Sequence, residues 1–299
     1  MGKGGTTLNR GTLEELRSRT AARREQFCER DADRLRIAAE FAERARFTIP
    51  HEKGYLVLPP GGIAEAEPVI AAGNALVDSI GHDRLLAEFN PRKDTMSRGF
   101  LPPDAFELGS PYMNFALHED IVGPISAYLG VVPILLAIDI WYAYSDYNQD
   151  GPINASLWHL DGDDTTQVKV WIHLQDVVRE AGPLTALDAT RSEAFAEHTE
   201  YDSSVEYRIP DEKINAFIGD DDLVVFDGPK GQIEYVDTSR CMHMGSRARA
   251  GCPVRRVFFA KYVTPYAFKF KEDYREESPY RHLATGTSSE LETFLLGAR

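Results

Sequence analysis

His159 and Asp161 flank Leu160, and His243 lies far downstream with Arg255 shortly after it. Two imidazoles and one carboxylate are the donor set that holds a non-haem Fe(II) on one face and leaves the other face open for chemistry. Side chains at i and i+2 of an extended segment point the same way, so His159 and Asp161 can converge on one ion if their segment is strand-like. A bare His-x-Asp is a short pattern, and its context gives it weight. Trp158 precedes it, a turn and a strand follow it, and the second histidine sits in Met242-His-Met-Gly-Ser246, just before the strand that carries Arg255. Zinc takes the same donors in hydrolases. Such an enzyme usually offers a nearby general base, often as HExxH, and this chain has no HExxH.

The elements that must position these residues can be read from pattern. Residues 12–46 are rich in Glu, Arg and Ala, with Leu13, Leu16, Phe27, Leu35, Ile37, Ala38 and Phe41 among them, and read as one or two amphipathic helices. Gly54-Tyr-Leu-Val-Leu58 reads as a short strand stopped by Pro59-Pro-Gly-Gly62, and 63–80 as a helix. Residues 91–114 read as a long loop. There Arg92, Lys93 and Arg98 either meet an anionic substrate or are simply solvated. Residues 116–129 read as a helix that Gly123-Pro124 would break in two. Strands are expected at 134–144, 156–160, 165–174, 183–187, 222–226, 241–246 and 254–263, with a helix at 192–198. Many short strands separated by turns suggest a sandwich or barrel.

One strand carries orientation. Val168, Val170, Ile172 and Leu174 form one face of the 166–174 run; Gln167, Lys169, Trp171 and His173 form the other. The aliphatic face should pack against helices or a partner sheet, and the mixed face should look into a cavity. Lys169 and His173 are therefore candidate substrate-lining residues. The alternatives are a buried carboxylate for Lys169 and a satisfied core position for His173. The acidic runs Asp161–Asp164 and Asp220–Asp222 read as turns with solvated charge.

Composition narrows the class. The chain has 299 residues, 43% hydrophobic, with a net charge of −14. That balance argues against binding nucleic acid or an anionic membrane through the general field. It says little about a small substrate, whose pocket can differ from the whole surface. Cys28, Cys241 and Cys252 are too few and too scattered for a disulfide scaffold or a zinc ribbon. The chain reads as cytoplasmic, without a secretory signal or a membrane-spanning run.

Ser156-Leu-Trp-His-Leu-Asp161, Glu180-Ala-Gly-Pro-Leu184, Asp222-Leu-Val-Val-Phe-Asp-Gly228 and the His243…Arg255 tail follow one another in an order that resembles the phytanoyl-CoA dioxygenase-like group of Fe(II)/2-oxoglutarate oxygenases. The resemblance covers about residues 50 to 265. It implies a mainly β fold with flanking helices and a double-stranded β-helix (jelly-roll, cupin-like) core over 47–265. Residues 1–46 would be a helical segment packed on or extending from that core, and 266–299 a C-terminal tail. It also implies His159, Asp161 and His243 as iron ligands, and Arg255 as the partner of the distal carboxylate of 2-oxoglutarate. Trp171 would lie along that co-substrate, and Ser246 would replace the usual serine two residues after the second histidine, where this chain has Gly245. One more residue than usual separates His243 from Arg255, which keeps Arg255 inward and Arg256 outward. The implied activity is hydroxylation of a small-molecule C–H bond with O2, releasing succinate and CO2. Asp161 argues for hydroxylation, or for a ring-forming or desaturating variant, over halogenation, because related halogenases carry a small residue there. A non-catalytic metal-binding jelly-roll protein and a zinc hydrolase are the alternatives.

Overall fold

The computed structural model describes residues 10–90, 96–144, 154–245, 247–271 and 273–299. Arg92, Lys93 and Ser246 lie outside the described residues. Two antiparallel sheets organise the described residues. The larger has five strands in the order β1 (Tyr55–Leu58), β6 (Ile233–Asp237), β3 (Gln167–His173), β8 (Arg255–Val263) and β2 (Ile134–Ala143). The smaller has β5 (Val224–Val225), β4 (Thr185–Ala186) and β7 (His243–Met244). β8 runs antiparallel to β2 from Ile134↔Val263 to Ala143↔Arg255, and antiparallel to β3 from Gln167↔Val263 to His173↔Val257.

These strands form where β-branched and aromatic residues alternate. Every residue of β3 is buried, which requires cover on both sides. Val168, Val170, Ile172 and Leu174 join Phe258, Ala260 and Tyr262 of β8 in the main core, beneath the helices α3 (Ala66–Ile80), α5 (Pro111–Leu117) and α6 (Glu119–Leu129). Trp171, Val257, Phe259 and Val236 point the other way and pack with Ala186 of the smaller sheet and with Leu184 and Phe226, which flank its strands. The two faces therefore separate as alternation predicts.

One strand was not expected, and three expectations need correction. β6 carries Glu234 and Asp237, and these charges hide its strand pattern from the sequence, although it lies inside the sheet between β1 and β3. Pro124 does not break its helix; α6 runs through it, and the break falls earlier, at His118, whose Nδ1 accepts the Asp120 N–H at 3.2 Å as an N-cap. Ser156 to Leu160 is not a continuous strand but a 3₁₀ turn (Asn154–Ser156) followed by isolated bridges at Trp158 and His159. Asp163 and Asp164 are not solvated. Asp163 pairs with Lys261, and buried Asp164 accepts from Thr264 N (2.8 Å), Thr264 Oγ1 (2.7 Å) and Thr165 N (2.7 Å).

One buried cation ties a helix near the start of the described residues to the segment before β2 and to the last residues. Arg34 of α2 (Ala32–Arg44) is 1% exposed. Its Nη1 donates to the carbonyls of Val132 (2.9 Å) and Pro133 (3.3 Å), and its Nη2 to those of Phe294 (2.8 Å) and Arg299 (2.7 Å). The guanidinium lies against the rings of Tyr274 and Phe294. Burial pulls its pKa down, opposed by Tyr274 and Asp31. All three cysteines are free, and among the described residues no helix is long and apolar enough to cross a membrane. Arg34→Met fills similar space but takes a donor from four carbonyls, of which Phe294 keeps the Gly297 N–H and Arg299 keeps the Tyr274 hydroxyl. It should cost about 2–4 kcal/mol of folding free energy in urea titrations; an unchanged midpoint would show that the guanidinium is not the staple.

Candidate functional site

His159 and His243 are placed by the backbone. Each donates its N–H to the other's carbonyl, at 2.9 and 3.0 Å, and His243 also pairs with Ala186 of β4. Their rings sit 4.3 Å apart between centroids. Asp161 is fixed next to them, with its N–H on the Thr238 carbonyl (2.8 Å) and its own carbonyl accepting from Ser239 Oγ (3.1 Å). Gly182 (φ +67°) shapes the turn into β4; a Cβ there would lie 2.5 Å from Arg247 N, so only glycine lets the segment after β7 pass.

One donor atom from each of His159, Asp161 and His243 lies within 4.8 Å of the other two. Nδ1 of His159 is 2.8 Å from the Leu157 carbonyl, and Nδ1 of His243 is 2.9 Å from the Cys241 carbonyl. A carbonyl can only accept, so Nδ1 carries the proton in both rings and Nε2 keeps its lone pair for a ligand. Burial holds both imidazoles neutral. It pulls His159 well below its usual value, helped by His243 and Arg208, and takes His243 to about 4 against the attraction of Asp161. For Asp161, burial pushes upward, but Lys169, His243, Lys261 and His159 together outweigh it, and the carboxyl ends well below the usual range. Two neutral imidazoles and one ionised carboxylate fit a divalent first-row metal.

The carboxylate is divided between two tasks. Oδ2 receives Lys169 Nζ at 2.6 Å and Gln167 Nε2 at 2.8 Å, and the same Gln167 Nε2 reaches Thr238 Oγ1 at 2.8 Å. Oδ1 faces His159 Nε2 at 3.9 Å, a spacing that suits two ligands of one ion rather than a hydrogen bond. The polar face of β3 thus grips one oxygen and leaves the other for metal.

A cleft of about 970 Å³ opens over this cluster. Trp171 of β3, Trp141 of β2, and Arg255, Phe259 and Lys261 of β8 line it beside the three candidate ligands. Arg255 is buried, and burial lowers its pKa to about 10 against the pull of Glu234. Its neighbour Arg256 points to the opposite face and pairs with Asp78 of α3 at 2.7 Å. His173 does not line the cleft. Its Nε2 meets Glu234 Oε1 at 2.7 Å, its Nδ1 lies 3.4 Å from the Gly228 carbonyl, and Gln232 donates to the same Glu234 oxygen at 2.9 Å. His82 and His51 serve packing, against Tyr142 and Tyr128.

Sequence reasoning missed Lys261, Phe259, Arg208 and Glu234. Phe259 and Lys261 were within reach, since they share the Arg255 face at even spacing on one strand. Arg208 carried no signal: its loop is brought alongside His159 by long-range ties, the Ile209 N–H to the Trp158 carbonyl at 2.8 Å and Arg247 joining Asp211 to the Ser156 carbonyl. Glu234 lay in the unrecognised strand.

No family model matches the chain, and no curated protein matches it. Solved structures do. EctD from S. alaskensis, with bound Fe, aligns at 15% identity over 71% of this chain and 73% of its own, with a TM-score of 0.52. The non-heme alpha ketoglutarate dependent epimerase SnoN from nogalamycin biosynthesis aligns at 20% identity over 77% and 83%, with a TM-score of 0.46. At these identities EctD speaks for a shared fold, and SnoN carries no weight of its own.

Replacing His173 with Leu leaves the buried Glu234 without its imidazole. We expect a loss of about 2–4 kcal/mol in denaturant titrations, with Glu234→Gln recovering part of it in the double variant. An additive double variant would show that the two side chains do not act as a pair.

Proposed function

We propose that the chain is an Fe(II)/2-oxoglutarate-dependent oxygenase of the phytanoyl-CoA dioxygenase-like group, acting on a small molecule. The catalytic domain would be a jelly roll over 47–265, flanked by 1–46 and 266–299. The observation that carries this is the His159–Asp161–His243 cluster sharing a cleft with the buried Arg255. The bridged histidines and the EctD-like fold support the same reading.

His159, Asp161 and His243 would hold the metal. With 2-oxoglutarate, the metal supplies O2 activation coupled to decarboxylation of the co-substrate, and thereby oxidation of a substrate C–H bond. The chain's own residues position the reactants. The two Nδ1–carbonyl contacts fix the imidazoles with Nε2 forward. Gln167 and Lys169 hold the Asp161 carboxylate in one orientation. Arg255 offers a planar fork suited to the distal carboxylate of 2-oxoglutarate. Trp171, Trp141 and Phe259 present apolar walls that keep water from the site. Lys169 serves Asp161 in this reading rather than the substrate. We assign hydroxylation, or a ring-forming or desaturating variant of it, over halogenation, because the carboxylate at 161 takes the space a halide would need.

A zinc hydrolase needs a general base beside the ligands. Among the described residues, Asp161 is the sole carboxylate lining the cleft; Asp163 is paired with Lys261, and Glu234 with His173.

Anaerobic addition of Fe(II) and 2-oxoglutarate should give a weak visible charge-transfer band. Alanine at 159, 161 or 243 should abolish both the band and succinate formation; succinate formed at the normal rate by any of them contradicts the ligand assignment. Arg255→Ala should weaken 2-oxoglutarate by about 10–100-fold, the loss of a charge-assisted bidentate contact, and Arg256→Ala by less than about threefold. The reverse order would move the anchor by one residue. Since metal binding needs neutral imidazoles and His243 titrates at about 4, Mn(II) affinity should be nearly flat from pH 8 to 6 and fall only as pH approaches 4. Calorimetric titration showing a steep loss near pH 7 would contradict this.

A further inference from the structure

The cleft differs in charge from the protein that contains it. The chain carries −14 overall. Yet the cleft is lined by Arg98, Lys169, Arg208, Arg255 and Lys261 against Asp161 alone among carboxylates of the described residues. Lys169 pairs with Asp161, Lys261 pairs with Asp163, and Arg98 lies beside the Asp139 carboxylate, where burial raises the pKa and the arginine opposes that rise. Arg255 serves the co-substrate in the function proposed above.

Arg208 stands apart. Its guanidinium lies over the Tyr207 ring at 4.7 Å, and the Tyr207 ring is 6.0 Å from that of His159. The next residue is tied by its N–H to the Trp158 carbonyl, so this arginine is held on the ligand side of the cleft, on an element separate from β8. Its Nη1 is buried and has no hydrogen-bond partner among the described residues. A buried donor left unmet destabilises the fold. A fold that keeps a guanidinium stacked and oriented, with one buried N–H group unmet, beside a candidate reaction centre has prepared it for a ligand.

We propose that Arg208 anchors an oxyanion, a carboxylate or phosphate, on the substrate of this site. The inference rests on the oxygenase reading for the word substrate, and on the cleft alone for the anion. The ligand is a small molecule with one such group and an apolar body. That body would lie against Trp141 and Phe259, whose rings pack 4.4 Å apart at the cleft wall, with the oxyanion meeting the planar fork of Arg208.

The test uses the full chain loaded with Mn(II) and saturating 2-oxoglutarate, so that Arg255 is occupied. Benzoate, phenyl phosphate, benzamide and benzylamine are titrated by calorimetry. At least one of the two anions should bind about tenfold or more tighter than benzamide and benzylamine. The tighter of the two tells a carboxylate from a phosphate substrate. Arg208→Gln should remove that advantage, Arg208→Lys should keep part of it, and both should leave 2-oxoglutarate affinity within about threefold of the parent. Equal binding of benzamide and the anions overturns the proposal without any variant. So does an unchanged anion preference in Arg208→Gln. A tenfold loss of 2-oxoglutarate affinity in that variant would reassign Arg208 to the co-substrate. If 2-oxoglutarate fails to bind the parent protein, the oxygenase reading falls by itself; the same titrations with Mn(II) alone still decide whether Arg208 selects oxyanions.

Discussion

A carboxylate placed between two sheets must be neutralised, and the site is arranged around that need. Asp161 is 15% exposed at its side chain, and isolating its charge there would cost several kcal/mol. Lys169 and Gln167 meet one oxygen, and they reach it only because β3 turns its polar face toward the smaller sheet. That orientation follows from the opposite face, where Val168, Val170 and Ile172 must stay in the main core. Slipping β3 by one residue would put Lys169 among the helices and a valine at the carboxylate. Hydrophobic register and site electrostatics are therefore one constraint.

Global and local charge part company for the same reason. Surface carboxylates dominate the total, and solvent screens them from one another. The inner faces of β3 and β8 instead carry Lys169, Arg255 and Lys261, in surroundings where charge acts more strongly. Net charge speaks to how the molecule behaves toward polyanions, not to what its cleft accepts.

Where the sequence could be read, it was because local pattern and tertiary demand agreed. β2, β3 and β8 announce themselves by alternating aliphatic and aromatic residues, and His159, Asp161, His243 and Arg255 by type and order. β6 could not be read, since Glu234 and Asp237 look like surface residues until His173, Gln232, Tyr128 and nearby backbone amides are seen to satisfy them. The break at His118 rather than Pro124 reflects a cap that no periodicity encodes. Arg208 is the clearest limit. Its place is set by pairings between segments far apart in the chain, and nothing in its own neighbourhood records those partners.

The mutual main-chain pairing of residues 159 and 243 bears on how an ion would come and go. Their imidazoles are aimed by amide and carbonyl contacts that form with the fold, so the entropy of gathering them is spent before any ion arrives. A zinc finger, by contrast, collapses when stripped. Here a chelator should leave the architecture standing and the donors still converged. Exchange of one divalent ion for another can then proceed on the native protein, and the ion found in the cell would reflect local supply as much as intrinsic preference.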